Sequence, residues 1–96
     1  MKLLIVEDEF MLADVIKDRL EDENFEVDMA LDGEEGEFLA LSGTYDLIIL
    51  DRMLPGIDGI DIVRHIRDQS IVCPVLMLTA RSAAGERLTE LRAEEE

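Results

Sequence analysis

Four apolar runs recur along the chain, and each is followed by a polar stop. Lys2 to Val6 reads as a first buried strand, closed by the acids Glu7, Asp8 and Glu9. From Glu9 to Glu21 the apolar positions Leu12, Val15, Ile16 and Leu20 fall at helical spacing, so an amphipathic helix is predicted, with Asn24 closing it. Phe25 to Ala30 alternates, with Phe25, Val27 and Met29 against Glu26 and Asp28. That is the pattern of a half-exposed strand at or near a sheet edge. Asp32 is placed to cap a second helix running to about Leu41, with Glu35 as its capping-box partner. Gly36 inside that helix costs about 1 kcal/mol of helix propensity.

The central run is Leu47 to Leu50, continuous rather than alternating, as suits a parallel strand covered on both faces. It stops at Asp51, and Pro55, Gly56 and Gly59 mark the loop that follows. A third helix, starting at Asp58 or Gly59, carries Ile60, Ile62, Val63 and Ile66. Pro74 then precedes a fourth strand, Val75 to Leu78, ending at Thr79. The order β-α-β-α-β-α-β implies an α/β fold with a parallel sheet. For residues 82–96 the pattern predicts a short, fraying helix with Leu88 and Leu91 as a narrow stripe. Glu86 and Glu90 repel at i, i+4, and three glutamates crowd an end where the helix dipole disfavours them.

Composition narrows the function. The chain has 96 residues, 48% of them hydrophobic and only 4% aromatic, so it suits one domain with an aliphatic core. A formal charge of −15 argues against unaided binding to nucleic acid or anionic lipid and favours cations or basic partners. Cys73 is the only cysteine, which excludes an internal disulfide, and it reads as a small buried hydrophobe. His65, the one histidine, sits in a charged helix and reads as a surface residue. The apolar run Leu3 to Val6 is too short for a signal peptide or membrane span, so a soluble, cytoplasmic protein is expected.

In a parallel sheet the ends of strands one, three and four share a crevice, where open α/β sheets take their ligands. Glu7, Asp8, Asp51 and Thr79 would meet there. Asp51 alone reads equally as a nucleophile or metal ligand and as a turn cap. Several carboxylates in one site call for a positive neutraliser, and an all-oxygen set suits Mg²⁺ or Mn²⁺.

The segments Leu3 to Glu9 (LLIVEDE), Leu50 to Gly59 (LDRMLPGIDG) and Leu78 to Arg81 (LTAR) resemble the receiver domain of bacterial two-component response regulators. Their closest match is the OmpR-like winged-helix transcription-factor class. The resemblance covers Lys2 to about Arg81, giving a receiver-like unit at 1–81 and an atypical helical tail at 82–96. It implies a flavodoxin-like sheet with helices on both faces and a phosphorelay role: Asp51 takes a phosphoryl group from a sensor histidine kinase. It also implies that Asp8 binds Mg²⁺ directly, Glu7 acts largely through water, the Met53 backbone carbonyl is a further ligand, and Thr79 supplies a switch hydroxyl. Met53 and Arg81 match variable flanking positions that modulate how long the phosphoryl group lasts. Such a receiver is not an enzyme acting on a separate substrate.

The family pattern continues with a fifth strand ending in a lysine and a fifth helix, and these have no match here, since the only lysines are Lys2 and Lys17. The fold is therefore expected to be incomplete, with inefficient phosphorylation. The strand Val75 to Leu78 is expected to present an open edge, and one sheet face to expose apolar side chains of the third and fourth strands and of Leu12, Val15 or Ile16, so that the chain forms a homo-oligomer through the exposed sheet edge. Truncation, frameshift and redesign are all compatible with this departure. The alternative function is a signalling-incompetent fragment acting as an oligomerising module. A flavodoxin-like FMN binder is more distant, because no phosphate-binding loop follows the first strand.

Overall fold

A computed structural model describes residues 1–78 and 88–91, the last four by their backbone. The elements are β1 (Lys2–Val6), α1 (Phe10–Asp22), β2 (Glu26–Ala30), α2 (Gly33–Ala40), β3 (Leu47–Asp51), α3 (Gly59–Asp68), β4 (Val75–Leu78) and β5 (Leu88–Leu91). The sheet runs β2-β1-β3-β4-β5. Its first four members are parallel, with Val6 beside Leu50 and Asp51 beside Leu78.

Strand alternation sorts the apolar residues into two cores. Leu4, Val6, Ile48, Leu50, Val75 and Met77 face α2 and α3, where Ala40, Ile62, Val63 and Ile66 meet them. Leu3, Ile5, Val27, Ile49 and Leu78 face α1 through Ala13, Ile16 and Leu20. This two-sided burial is why β3 reads as an unbroken apolar run. β2, at the sheet edge, keeps the half-exposed pattern its alternation predicts.

Helix ends follow local chemistry. Asp32 accepts the Glu35 N–H at 2.8 Å, while the Glu35 carboxylate reaches back to the Leu31 N–H at 3.4 Å. The capping box thus closes one residue early. Asn24 ends α1 in the left-handed region (φ 72°), with Phe25 N–H bonding Leu20 O and Asn24 N–H bonding Glu21 O. Ser70 does the same after α3. Gly36 has a packing reason that outweighs its propensity cost: a Cβ there would lie 2.4 Å from Val6 Cγ1, so α2 sits directly on β1.

The tail departs from expectation. Over Leu88–Leu91 it is not helical but forms β5, antiparallel to β4, with Leu78 beside Leu88 and Val75 beside Leu91. Unpaired N–H and C=O groups along β4 offer more hydrogen bonding than one frayed helical turn supplies. The edge of β4 is consequently not open, and the expected self-association through it loses its structural basis. Among the described residues no fifth parallel strand and no helix after α3 occur. Residues 79–87 and 92–96, including Thr79 and Arg81, lie outside the described residues. On the α1 face Val15 is 60% exposed as expected, whereas Ile49 on β3 is buried.

His65 lies on the surface, paired with Glu37 of α2. Cys73 is only half-buried, against the α2/α3 core. Tyr45 is buried at the opposite end of the sheet, and its hydroxyl donates to Asp28 Oδ2 at 2.6 Å. Burial, with Asp28 beside it, pushes the phenol well above its usual range. Tyr45→Phe should cost about 1 kcal/mol in urea unfolding, since Asp28 is only half-buried and water can replace the lost donor. A loss several times larger would mean that the hydroxyl anchors more than this one contact.

Candidate functional site

The parallel register that sets Val6 beside Leu50 carries the next residues, Glu7 and Asp51, to neighbouring strand ends. Asp8 follows, and oxygens of Glu7, Asp8 and Asp51 all lie within 4.8 Å of one another. Glu7 is 4% and Asp51 7% exposed, while Asp8 faces solvent. The strand-end carboxylates picked from sequence are therefore together.

Glu7 and Asp8 do not cap the first helix. The N-cap of α1 is Glu9, and no side chain bonds the first turn there. Instead the Glu7 carboxylate folds back to accept the Glu9 N–H at 3.0 Å. Asp51 does serve as a turn cap, since its Oδ1 accepts the Met53 N–H at 3.2 Å. That role leaves the carboxyl at the crevice, so cap and site coexist.

Burial pushes Glu7 up to about 7, and the charges of Asp51 and Asp8 add to the rise against the Glu9 N–H. Asp51 is also raised, mainly by burial and then by Asp8, with the N–H groups of Met53 and Arg52 opposing. Among the described residues the opposing groups are backbone donors, and no side-chain cation joins them. Such a cluster holds protons or a cation, because buried like charges at this spacing do not stay ionised unaided. Three carboxylates at one rim fit a hard divalent ion that keeps several waters.

Several further contacts hold the loop after Asp51. Leu54 is buried in the core, Gly59 N–H donates to Arg52 O at 2.9 Å, and Asp58 Oδ1 accepts the Ile60 N–H at 2.9 Å. Sequence reading passed over Gly59 as a simple helix start. A Cβ there would lie 2.8 Å from the Asp51 carbonyl oxygen and 3.0 Å from Arg52 Cα, so only glycine lets α3 begin against the Asp51 backbone. Its presence in the first turn of a helix, where glycine is disfavoured, was the available signal. Asp8 and residues 52–58 line an open groove of about 510 Å³ beside the cluster. Arg52, on that groove, was likewise not singled out.

Residues 3–95 match the family model described as response regulator receiver domain. This chain belongs to that family. The match runs beyond residue 81, where the recognisable motifs end, and so takes in much of the tail. The response regulator ArlR of Staphylococcus saprophyticus is 49% identical over 90 residues, covering 94% of this chain and 40% of that protein. The receiver domain of the Francisella response regulator 1452 superposes with a TM-score of 0.79 at 36% identity, covering 86% of this chain and 69% of that one. The response regulator TrrA of Thermotoga maritima, solved in complex with Mg(2+)-BeF, gives a TM-score of 0.67 at 40% identity, covering 71% and 59%.

The receiver spans 40–42% of the length of the curated relatives it matches, which are named as response regulators and transcriptional regulatory proteins. They are regulators of the OmpR-like class. A signalling-incompetent fragment acting as an oligomerising module is not the reading these similarities favour. The flavodoxin-like order of the four parallel strands agrees with them. Among the described residues no helix is long and apolar enough to cross a membrane.

Proposed function

We propose that this receiver is the phosphoacceptor module of a two-component response regulator, with Asp51 as the acceptor. The observation that carries the reading is the meeting of Asp51 with Glu7 and Asp8 at the strand ends, with no side-chain cation among the described residues to neutralise them. An Asp51 carboxylate oxygen attacks the phosphorus of a phosphohistidine on a sensor histidine kinase. The new O–P bond forms as the P–N bond breaks, and the imidazole leaves with the electron pair and takes a proton from solvent. Positioning and charge neutralisation carry most of such a transfer.

Asp8 and Asp51 would hold Mg²⁺ or Mn²⁺ directly, Glu7 through water, and the Met53 backbone carbonyl would complete the protein ligands. When bound, the ion supplies positive charge to the phosphoryl oxygens. The Met53 N–H fixes the Asp51 carboxylate for attack. Thr79, the residue after Leu78 that pairs with Asp51, would donate its hydroxyl to the attached phosphoryl group. The chain would catalyse only its own modification, in the cytoplasm, and its charge of −15 disfavours direct contact with nucleic acid.

Incubation with acetyl phosphate and Mg²⁺, followed by intact-mass analysis, tests this. One added phosphoryl group is expected, absent in Asp51→Asn and strongly reduced by a chelator. An adduct that persists in Asp51→Asn would remove Asp51 from the role.

A further inference from the structure

The groove beside the acid cluster is lined by Asp8 and residues 52–58, and among the described residues Arg52 is the one cation in that lining. Its guanidinium is loosely committed. Arg52 Nε stands 3.7 Å from Asp58 Oδ1, with the two side chains 52% and 45% exposed. The same Asp58 oxygen already accepts the Ile60 N–H at 2.9 Å. An exposed pair of this length holds its partners weakly and is readily exchanged for a better one. The Arg52 backbone, by contrast, is fixed, with its N–H on Leu78 O and its carbonyl on the Gly59 N–H. The side chain can therefore move while the loop stays in place. A tetrahedral oxyanion is the better partner, because guanidinium forms charge-assisted, often bidentate bonds to it.

We propose that Arg52 is an anion-binding residue of this site: it leaves Asp58 to hold the oxygens of a phosphoryl group at Asp51, and Asp58 is the counterion that keeps it in reserve. The inference rests on the reading of Asp51 as phosphoacceptor. It differs from a purely structural role in a way that can be measured. A loop staple formed by Arg52 and Asp58 would make loss of either partner act in the same direction. A reserve cation makes them act in opposite directions.

The test uses the full chain and beryllium fluoride with saturating Mg²⁺ as the phosphoryl stand-in, with affinity read by calorimetry. Arg52→Gln should weaken beryllofluoride binding about tenfold, as expected for loss of a charge-assisted bond, and leave binding of Mg²⁺ alone within about twofold. Arg52→Lys should recover part of the loss. Asp58→Asn keeps a side-chain oxygen to cap Ile60 but drops the charge, so it should tighten binding about threefold. In the double variant that gain should vanish, because the released guanidinium is no longer there. Unchanged affinity in Arg52→Gln overturns the inference, as does a gain from Asp58→Asn that survives in the Arg52→Gln background. Both results would leave Asp51 untouched as acceptor. Wild-type binding that is absent, or equally strong in Asp51→Asn, overturns the reading of Asp51 and this inference together.

Discussion

The metal-free chain should unfold at a lower temperature at about pH 8 than at about pH 5, and millimolar Mg²⁺ should remove most of that difference. The sign follows from Glu7, whose folded pKa is raised from 4.5 to about 7 by burial and the neighbouring acids. A raised carboxyl means the folded state binds the proton more tightly than the unfolded state. Its favourable contribution is complete below about pH 4.5 and is lost as pH rises through about 7. Asp51 shifts in the same direction and adds to the fall. General repulsion at a charge of −15 has the same sign, so Glu7→Gln is the control that isolates the site.

Mg²⁺ binds the ionised carboxylates, so its effect should be large above pH 7 and small near pH 5. At a concentration about 100-fold above Kd it contributes about 2.7 kcal/mol. For a domain of this size each kcal/mol is worth about 4–8 °C of midpoint. Thermal scans across pH with and without the ion, on wild type, Glu7→Gln and Asp51→Asn, decide it. A pH profile that Glu7→Gln leaves unaltered, or an Mg²⁺ shift of equal size in Asp51→Asn, would sink the account.

Replacing Gly36 by alanine should destabilise the chain, although alanine is the better helix former by about 1 kcal/mol. The added Cβ would meet Val6 Cγ1 at 2.4 Å and Cγ2 at 2.9 Å. Val6 is fully buried, and a β-branched side chain has few rotamers to retreat into. Overpacking of this kind typically costs about 1–3 kcal/mol and more in tight sites. The clash therefore outweighs the propensity gain, and the net loss is a large part of a total stability of about 5–15 kcal/mol. Val6 directly precedes Glu7, so a displaced β1 also disturbs the acid cluster, and Mg²⁺ affinity should fall with stability. Urea unfolding measures the first and calorimetry the second. A Gly36→Ala chain as stable as wild type would mean that α2 can lift off β1 without loss.

Local physics made much of this protein legible from its residues. Apolar periodicity marks β1 to β4 and α1 to α3 because each pattern records which faces are buried, and in β3 the lack of alternation records burial on both. Asp32 and Asn24 announce helix ends because their side chains or backbones satisfy groups within a few residues. Glu7, Asp8 and Asp51 were found from sequence because parallel strands bring their carboxyl ends to one rim.

Contacts between distant parts of the chain were decided elsewhere. Leu88–Leu91 carries leucines at a spacing that serves one helical turn or a short strand equally. Only the unpaired edge of β4 makes it β5. The propensity of Gly36 and Gly59 speaks against their helices, and both are explained only by what lies opposite them: Val6 in one case, the Asp51 carbonyl in the other. The strand ends determine that three acids meet, but burial at that rim determines that Glu7 titrates near 7. Periodicity and capping are properties of neighbours in sequence. Close approach and desolvation belong to neighbours in space, and those exist only once the sheet and its helices have packed.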